Sequence, residues 1–558
     1  MKFIKGEFSS MSNWINTAVF YHVYPLGFCG APQYNTDGET VCRINKIREW
    51  IPHWKEMGVN ALYIGPVFES SEHGYDTKDY YQIDKRLGDN HCFRTLCEEL
   101  HQNGIRVILD GVFNHVGRQF WAFTDVQRNG QNSHYCDWFH NLNFGGGSPM
   151  GDPFWYEGWQ GHYNLVKLNL RNPEVVDHLL GAVGQWINDF DIDGLRLDAA
   201  DCVDPEFFKR LRQFCKSKKP DFWLVGEIIH GDYNRWANPE MLDSVTNYEC
   251  YKGLYSSHND KNYFEIAHSL NRQFGSGGIY RNIDTYNFVD NHDVNRLAST
   301  LRNLEHIYNV YSLLFTMPGV PSVYYGSEWA LTGIKQNGSD APLRPCLDLN
   351  NLPSPNEKLS AHIGKLARVR KELPALQTGG YEQVIVKNEQ LVFKRFQDGQ
   401  TVYIALNLAD QEARLDFGMD ASKVLVDYLH QNEVLAPVNG NISVLVAPYD
   451  TRILVQTAPD AVCDLGREEG ENPAAKEPNP QEPAVPERKV GRYRHFKGNE
   501  YRVIGFAKHS ETEEEMVVYE ELYGEHRLWV RPADQFFEIV EAGGVLQPRF
   551  AYLGDYHQ

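Results

Sequence analysis

Between residues 17 and 330 the chain alternates short β-rich runs with stretches patterned for helices, and no other feature limits its fold so strongly. The β-rich runs fall at 18–24, 61–64, 105–110, 193–201, 222–227, 244–248, 286–290 and 320–325. Helical spacing of apolar residues predicts helices at 46–57, 93–103, 175–190 and 205–215. Strands separated by helices pair in parallel, and eight such units close into a (β/α)8 TIM barrel of the α/β class. An open doubly wound sheet is the competing topology. Against it, no glycine-rich phosphate loop follows the first run.

The connection after the third strand is far longer than a βα loop requires. It covers about sixty residues, 116–172, and carries Trp121, Trp138, Trp155, Tyr156, Trp159 and Tyr163. We read it as an inserted subdomain over the C-terminal mouth of the barrel, with most of its rings forming its own core. After a helical stretch at 361–371, alternating runs at 390–394, 401–406 and 442–446 predict an antiparallel β-sandwich. Residues 458–490 shift to Glu, Pro, Ala and Asn and cannot bury a core, which predicts a disordered linker. The expected organisation is therefore an extension (1–16), a barrel domain (17–360), a sandwich (361–457), the linker and a small β-rich domain (491–558).

A net charge of −20 at pH 7 argues against nucleic acid or anionic membrane as partner, because both require a basic surface. Neutral ligands fit. Residues 1–7 hold no apolar run of signal-peptide length and no run reaches membrane-spanning length, so a cytoplasmic location is expected. The ten cysteines show no CxxC pair and no regular spacing, which predicts free, mostly buried thiols without a zinc site or disulfide framework.

In a parallel barrel every strand delivers its last residues to one rim, so polar residues at strand ends become neighbours whatever their separation in sequence. The third run ends in Asp110-Gly111-Val112-Phe113-Asn114-His115, the fourth carries Arg196 and Asp198, the fifth ends in Glu227, and the seventh leads to Asn291-His292-Asp293. Period-two alternation puts Leu195 and Leu197 on one side of the fourth strand and Arg196 and Asp198 on the other. Chemistry that needs close carboxylates is glycosyl transfer, in which one attacks the anomeric carbon and another gives the leaving oxygen a proton. A guanidinium beside Asp198 is expected to keep it ionised, as a nucleophile requires. Glu227, at the end of an apolar run and facing other carboxylates, is expected to hold its proton more tightly, as an acid requires.

The segments 110–115, 194–198, 226–227 and 288–293 resemble, in order and spacing, the four signature regions of the α-amylase family of glycoside hydrolases. Residues 74–80 and 319–326 match supporting segments, and the resemblance spans 17 to about 456. It implies Asp198 as nucleophile, Glu227 as acid/base and Asp293 as transition-state stabiliser. It also implies Tyr75 as a stacking platform, with His115, Arg196 and His292 binding the sugar. Residues 125–130, 135–139 and 166–169 are similar to the neopullulanase, cyclomaltodextrinase and maltogenic amylase group. This implies a retaining hydrolase of short α-1,4-glucans or cyclodextrins; a transglycosylase or isomerase of the same family and a non-catalytic binding barrel are the alternatives.

Three departures from the group stand out. The N-terminal domain through which its members usually dimerise is missing, so the oligomeric state is open. Ile228-Ile229-His230 follows Glu227 where a tryptophan is usual. At the family's usual calcium site Asn114 is present, but Lys167 and Cys202 stand where an aspartate and a histidine are common. An ammonium at a ligand position replaces a cation, so no calcium is expected there, and no other metal or cofactor is implied. The small domain at 491–558 resembles a bacterial domain of uncharacterised function.

Overall fold

The computed structural model describes residues 14–461 and 489–554, except 37, 337, 354, 498, 510–513, 524–525 and 543–544. Most of the expected N-terminal extension, most of the expected linker and Cys463 lie outside the described residues. The chain divides into two compact units, Met1–Arg467 and Glu468–Gln558.

The barrel strands are β1 (Phe20–Val23), β2 (Ala61–Ile64), β3 (Arg106–Gly111), β4 (Gly194–Leu197), β5 (Trp223–Gly226), β6 (Ser244–Val245), β7 (Tyr286–Asn287) and β8 (Val320–Tyr324). Consecutive strands from β1 to β6 pair in parallel, β7 pairs with β8, and β8 returns to β1. A parallel bridge between Thr246 and Tyr286 closes the ring. The sixth strand is shorter than the run 244–248 because Asn247 leaves the ladder to cap the helix Tyr248–Asn259, its side chain accepting from the Cys250 amide. The predicted helix 46–57 is a 3-10 helix, Arg43–Trp50, followed by an α-helix, Ile51–Glu56. Pro52 lies in the first turn of the latter, where its missing N–H costs nothing.

Strand periodicity then sorts the side chains. Residues at one parity (Phe20, Ala61, Tyr63, Ile108, Trp223, Val225, Tyr286 and Val320) form a compact core inside the ring. Those at the other (Tyr21, Leu62, Val107, Leu109, Leu195, Leu197 and Leu224) join the larger core shared with the surrounding helices. Four inward columns turn polar toward the C-terminal end: Phe20 is followed by His22, Ile108 by Asp110, Gly194 by Arg196 and Val225 by Glu227. All four residues of β4 are buried, so Arg196 faces the barrel interior and not solvent. Gly194 leaves the room this needs, since a Cβ there would lie 2.5 Å from the Trp223 carbonyl oxygen.

The insertion builds a three-stranded antiparallel sheet from His115–Gly117, Gly158–Trp159 and His162–Lys167, beside the helix Trp121–Asn129. Trp138 and Tyr156 are buried in it, as expected of core rings. The C-terminal part of the first unit contains β9 (Gly380–Val386), β10 (Gln390–Gln397), β11 (Gln400–Asn407), β12 (Ala413–Gly418), β13 (Val424–Asp427), β14 (Glu433–Leu435), β15 (Asn441–Val446) and β16 (Thr451–Thr457). These form a six-stranded and a two-stranded antiparallel sheet enclosing Val392, Leu415, Leu425, Val444 and Leu454. Leu391, Phe393, Ile404 and Ile453 face the other way into the barrel's helical core. Two buried arginines staple this contact: Arg370 donates to the carbonyls of Phe315, Gly319 and Leu376, and Arg395 to those of Thr316, Leu376, Gly379 and Gly380.

The second unit is an antiparallel sheet of β17 (Gly491–His495), β18 (Glu500–Lys508), β19 (Glu515–Glu521), β20 (Leu528–Pro532) and β23 (Phe550–Gly554), in the order β20-β19-β18-β17-β23. A separate hairpin pairs β21 (Ile539–Ala542) with β22 (Val545–Pro548). The short helix Ala533–Phe537 seals one face of the sheet, with the Phe536 ring stacked on Phe550 at 3.9 Å, over Tyr493, Val503, Val517 and Tyr519.

The expectation that the thiols are all free is corrected at one pair: Cys42 and Cys92 form a disulfide, with Cα atoms 6.3 Å apart. Cys42 immediately precedes the helix Arg43–Trp50 and Cys92 lies in the first turn of the helix Asn90–Gln102. Both helices start at the same barrel rim, a proximity that a sequence separation of 50 does not reveal. Cys29, Cys97, Cys215 and Cys250 are free and buried, as expected. Closing a loop of this length stabilises a fold by about 2–4 kcal/mol. Reducing agent is therefore expected to lower the thermal midpoint of the native protein but not that of Cys42→Ser/Cys92→Ser, and equal midpoints with and without reductant contradict the link.

Candidate active site

The site begins with cross-strand register. Asp110 on β3 and Val225 on β5 both lie opposite Arg196 on β4. The Arg196 Nη1 donates to Asp110 Oδ1 at 2.9 Å and to Asp198 Oδ1 at 2.8 Å, while Nη2 pairs with Glu227 Oε1 at 2.9 Å. One planar fork thus holds three carboxylates.

The strand ends lock the two outer ones. The Asp198 amide continues the ladder to the Gly111 carbonyl at 3.1 Å, and the Glu227 amide bonds the Leu197 carbonyl at 2.9 Å. Between them the chain turns at Ala199, a left-handed residue with φ 43°, whose amide donates to Glu227 Oε2 at 2.9 Å. Such backbone strain costs on the order of 1–3 kcal/mol and is retained where it positions functional groups.

Asp293 is oriented from three sides. Arg344 donates to its Oδ1 at 2.8 Å and to the His292 carbonyl at 3.0 Å, His292 Nε2 lies 3.1 Å from its Oδ2, and its amide donates to the Asn291 side chain. The turn that carries Tyr75 is fixed by Asp76, whose Oδ1 accepts from the amides of His73 and Gly74, and Gly74 has a left-handed φ of 90°. Tyr75 lies nearly parallel to His292, with ring centroids 5.6 Å apart, and its hydroxyl donates to Asp110 Oδ2 at 3.0 Å. His115 Nε2 is 3.9 Å from Asp198 Oδ2, and its Nδ1 faces the Asn114 amide nitrogen at 3.1 Å, which puts the ring proton on Nε2. All seven residues singled out from the sequence therefore meet in one connected group. Sequence reasoning missed Arg344, Tyr63, which donates to Asp110 Oδ2 at 2.8 Å, and the role of Asp110 as a third anchor of Arg196. Tyr63 and Asp110 were within reach of the period-two rule; no local signal marks Arg344.

The electrostatics correct one expectation. Burial pushes the Asp198 carboxyl well above the usual carboxylate range; Arg196 opposes this, and Glu227 and Asp110 add to it. Burial likewise raises Glu227, as expected, with Arg196 opposing and Asp293 reinforcing, and it raises Asp110. Arg196 alone does not set the charge of Asp198, because one guanidinium is divided among three acids. Each acid is therefore raised by burial against the pull of the arginine it shares. Burial also pushes the His115 imidazole down to about 3 and lowers His292 well below its ordinary value, so both are neutral donors at neutral pH.

At the position where the family's calcium is usual, Lys167 lies opposite His115 across the inserted sheet and its Nζ bonds Glu157 Oε1 at 3.0 Å. An ammonium and the half-buried Cys202 thiol do not make an oxygen donor set, so these residues do not fit a calcium ion. Past the acid, Ile228 enters the core while Ile229 and His230 stand exposed.

Comparison with known proteins bears on this arrangement. Residues 23–344 match the family model for the alpha amylase catalytic domain, 381–453 that for the maltogenic amylase C-terminal domain, and 491–552 a domain of unknown function, DUF1653. A cyclomaltodextrinase of Geobacillus thermopakistaniensis is 32% identical over 464 residues, covering 78% of this chain and 76% of the relative. An intracellular maltogenic amylase of Bacillus subtilis is 31% identical over 464 residues, covering 78% and 77%. A solved cyclomaltodextrinase structure superposes with a TM-score of 0.71 at 27% identity, covering 80% of this chain and 78% of that one. With the catalytic-domain match spanning most of the barrel and three acids converging on one arginine at its mouth, the chain belongs to the α-amylase family of glycoside hydrolases.

Proposed function

We propose that the chain cleaves α-1,4 bonds of maltooligosaccharides and cyclodextrins with retention of configuration. In this reading Asp198 Oδ2 attacks the anomeric carbon while Glu227 passes its proton to the leaving oxygen. Water, deprotonated by Glu227, then releases the covalent glycosyl-enzyme. Asp293 tightens on the sugar hydroxyls as the ring flattens, Tyr75 supplies a stacking face, and His115, Arg196 and His292 hold the same glucose unit. One observation carries the assignment: Asp198 and Glu227 sit on the two terminal nitrogens of one guanidinium. Carboxyls gripped side by side suit the spacing of about 5 Å used in double displacement better than the wider gap that admits an attacking water. The substrate class rests on the relatives named cyclomaltodextrinase and maltogenic amylase.

We also read the chain as a barrel domain (17–360), a sandwich (361–457) and a small domain (491–558) joined by the linker 458–490. A cytoplasmic location belongs to the reading, supported by the intracellular B. subtilis relative. Among the described residues no helix is long and apolar enough to cross a membrane.

Two tests follow. Asp198→Asn is expected to lower turnover of maltotriose by about 10⁴-fold or more. Glu227→Gln is expected to lose about 10²- to 10⁴-fold on maltotriose, yet to keep a near wild-type first turnover on α-maltosyl fluoride, because fluoride departs without a proton. Equal losses on both substrates contradict the acid role. The second test is of stability. Because Asp198 and Glu227 hold their protons more tightly when folded than when unfolded, unfolding releases protons and stability falls as pH rises from the ordinary carboxylate range toward their raised values. Asp198→Asn removes part of that dependence, so its thermal midpoint at neutral pH is expected to equal or exceed wild type; a clear drop contradicts the sign.

A further inference from the structure

The second unit carries a cluster that its core covers only in part. On the helix-covered face of its sheet, Tyr501 lies opposite Glu521 and Tyr519 opposite Trp529. Near the helix that face is closed by Phe536 and Phe550. At its other end Trp529 stays 45% exposed and Tyr523 38% exposed. Their polar tips converge: Trp529 Nε1 donates to Glu521 Oε1 at 2.9 Å, the Tyr523 hydroxyl reaches the same oxygen at 3.5 Å, and the Tyr501 and Tyr523 hydroxyls bond at 2.7 Å. The Tyr501 and Tyr523 rings stand at 81° to one another with centroids 5.6 Å apart. The first two of these bonds fall on Glu521 Oε1. Trp529 and Tyr523 are thus tied down by their polar tips while staying partly exposed, beside a carboxylate that accepts but does not donate. Such preorganisation lowers the entropy cost of binding a flat ligand.

The chemistry limits the ligand. Glu521 disfavours anions. A pyranose presents an apolar C–H face to a ring and hydroxyl donors to a carboxylate at its edge, and it is neutral. We infer that Trp529, Tyr523, Tyr501 and Glu521 form a non-catalytic site for a segment of α-glucan. It gives the enzyme a second grip on longer substrates while the barrel cleaves. The choice of glucan rests on the function proposed for the barrel. A weak site tethered in the same chain raises retention on a long glucan by making the second binding event intramolecular.

The test uses the full chain carrying Asp198→Asn, titrated calorimetrically with maltoheptaose. Two classes of site are expected, and Trp529→Ala in that background removes the weaker class. Tyr523→Ala, which changes an exposed side chain, weakens it about tenfold, equivalent to about 1.4 kcal/mol, whereas Trp529→Phe retains it. In the otherwise wild-type enzyme, Trp529→Ala leaves kcat/KM for maltotriose unchanged and loosens retention on insoluble amylose. The inference is overturned if the Asp198→Asn chain shows no Trp529-dependent class of site, or if neither Trp529→Ala nor Tyr523→Ala alters the titration. It is equally overturned if a single class of site remains and is independent of Trp529, or if tetramethylammonium binds in a Trp529-dependent manner and maltoheptaose does not, which identifies a cation cage. Failure of the barrel assignment reads out separately, as turnover by Asp198→Asn or loss of the tighter class with the Trp529-dependent class intact.

Discussion

One guanidinium holds the active cleft together. Arg196 is buried with Asp110, Asp198 and Glu227 all within hydrogen-bond distance, so every acid in the group depends on a charge it must share. Taking several carboxylates out of water costs several kcal/mol apiece, and the fold offsets this through strand register and through donors from Tyr63, Tyr75 and Ala199. Burial raises all three acids against the pull of that one arginine, so the cluster disfavours full ionisation.

The barrel creates this cluster by geometry that recurs on the first, third, fourth and fifth strands. The inward columns begin apolar and end polar, so a dry core of Phe20, Ile108, Trp223 and Val320 closes the floor beneath the charged layer. The insertion continues the third strand's exit into a sheet, pairing His115 with Lys167, so the histidine beside Asp198 is held by secondary structure and not by a free loop. The sandwich shares its core with the barrel helices, and Arg370 and Arg395 tie the two through backbone carbonyls alone. The second unit has a core of its own and leaves Trp529 and Tyr523 partly exposed.

Much of this was legible in the sequence because it follows from local rules. Alternation within 193–198 separates Leu195 and Leu197 from Arg196 and Asp198, and strand ends bring Glu227 and Asp293 to the same rim. What escaped is non-local. Arg344 reaches Asp293 from 51 residues away, and Cys42 reaches Cys92 only after two helices start at one edge. The electrostatics of Asp198 escaped for a different reason: a pairwise reading beside Arg196 leaves out burial and two further acids, which raise its carboxyl against the arginine's pull. The sixth strand was overextended because the cap at Asn247 outcompetes strand propensity.

The most direct test of this account is to find which oxygen attacks. Glu227→Gln incubated with α-maltosyl fluoride accumulates the covalent intermediate, because no base remains to activate water, and peptide mass mapping then locates the sugar. The account predicts a single maltosyl adduct on the peptide carrying Asp198. An adduct on the peptide carrying Asp293, or steady turnover with none, contradicts it.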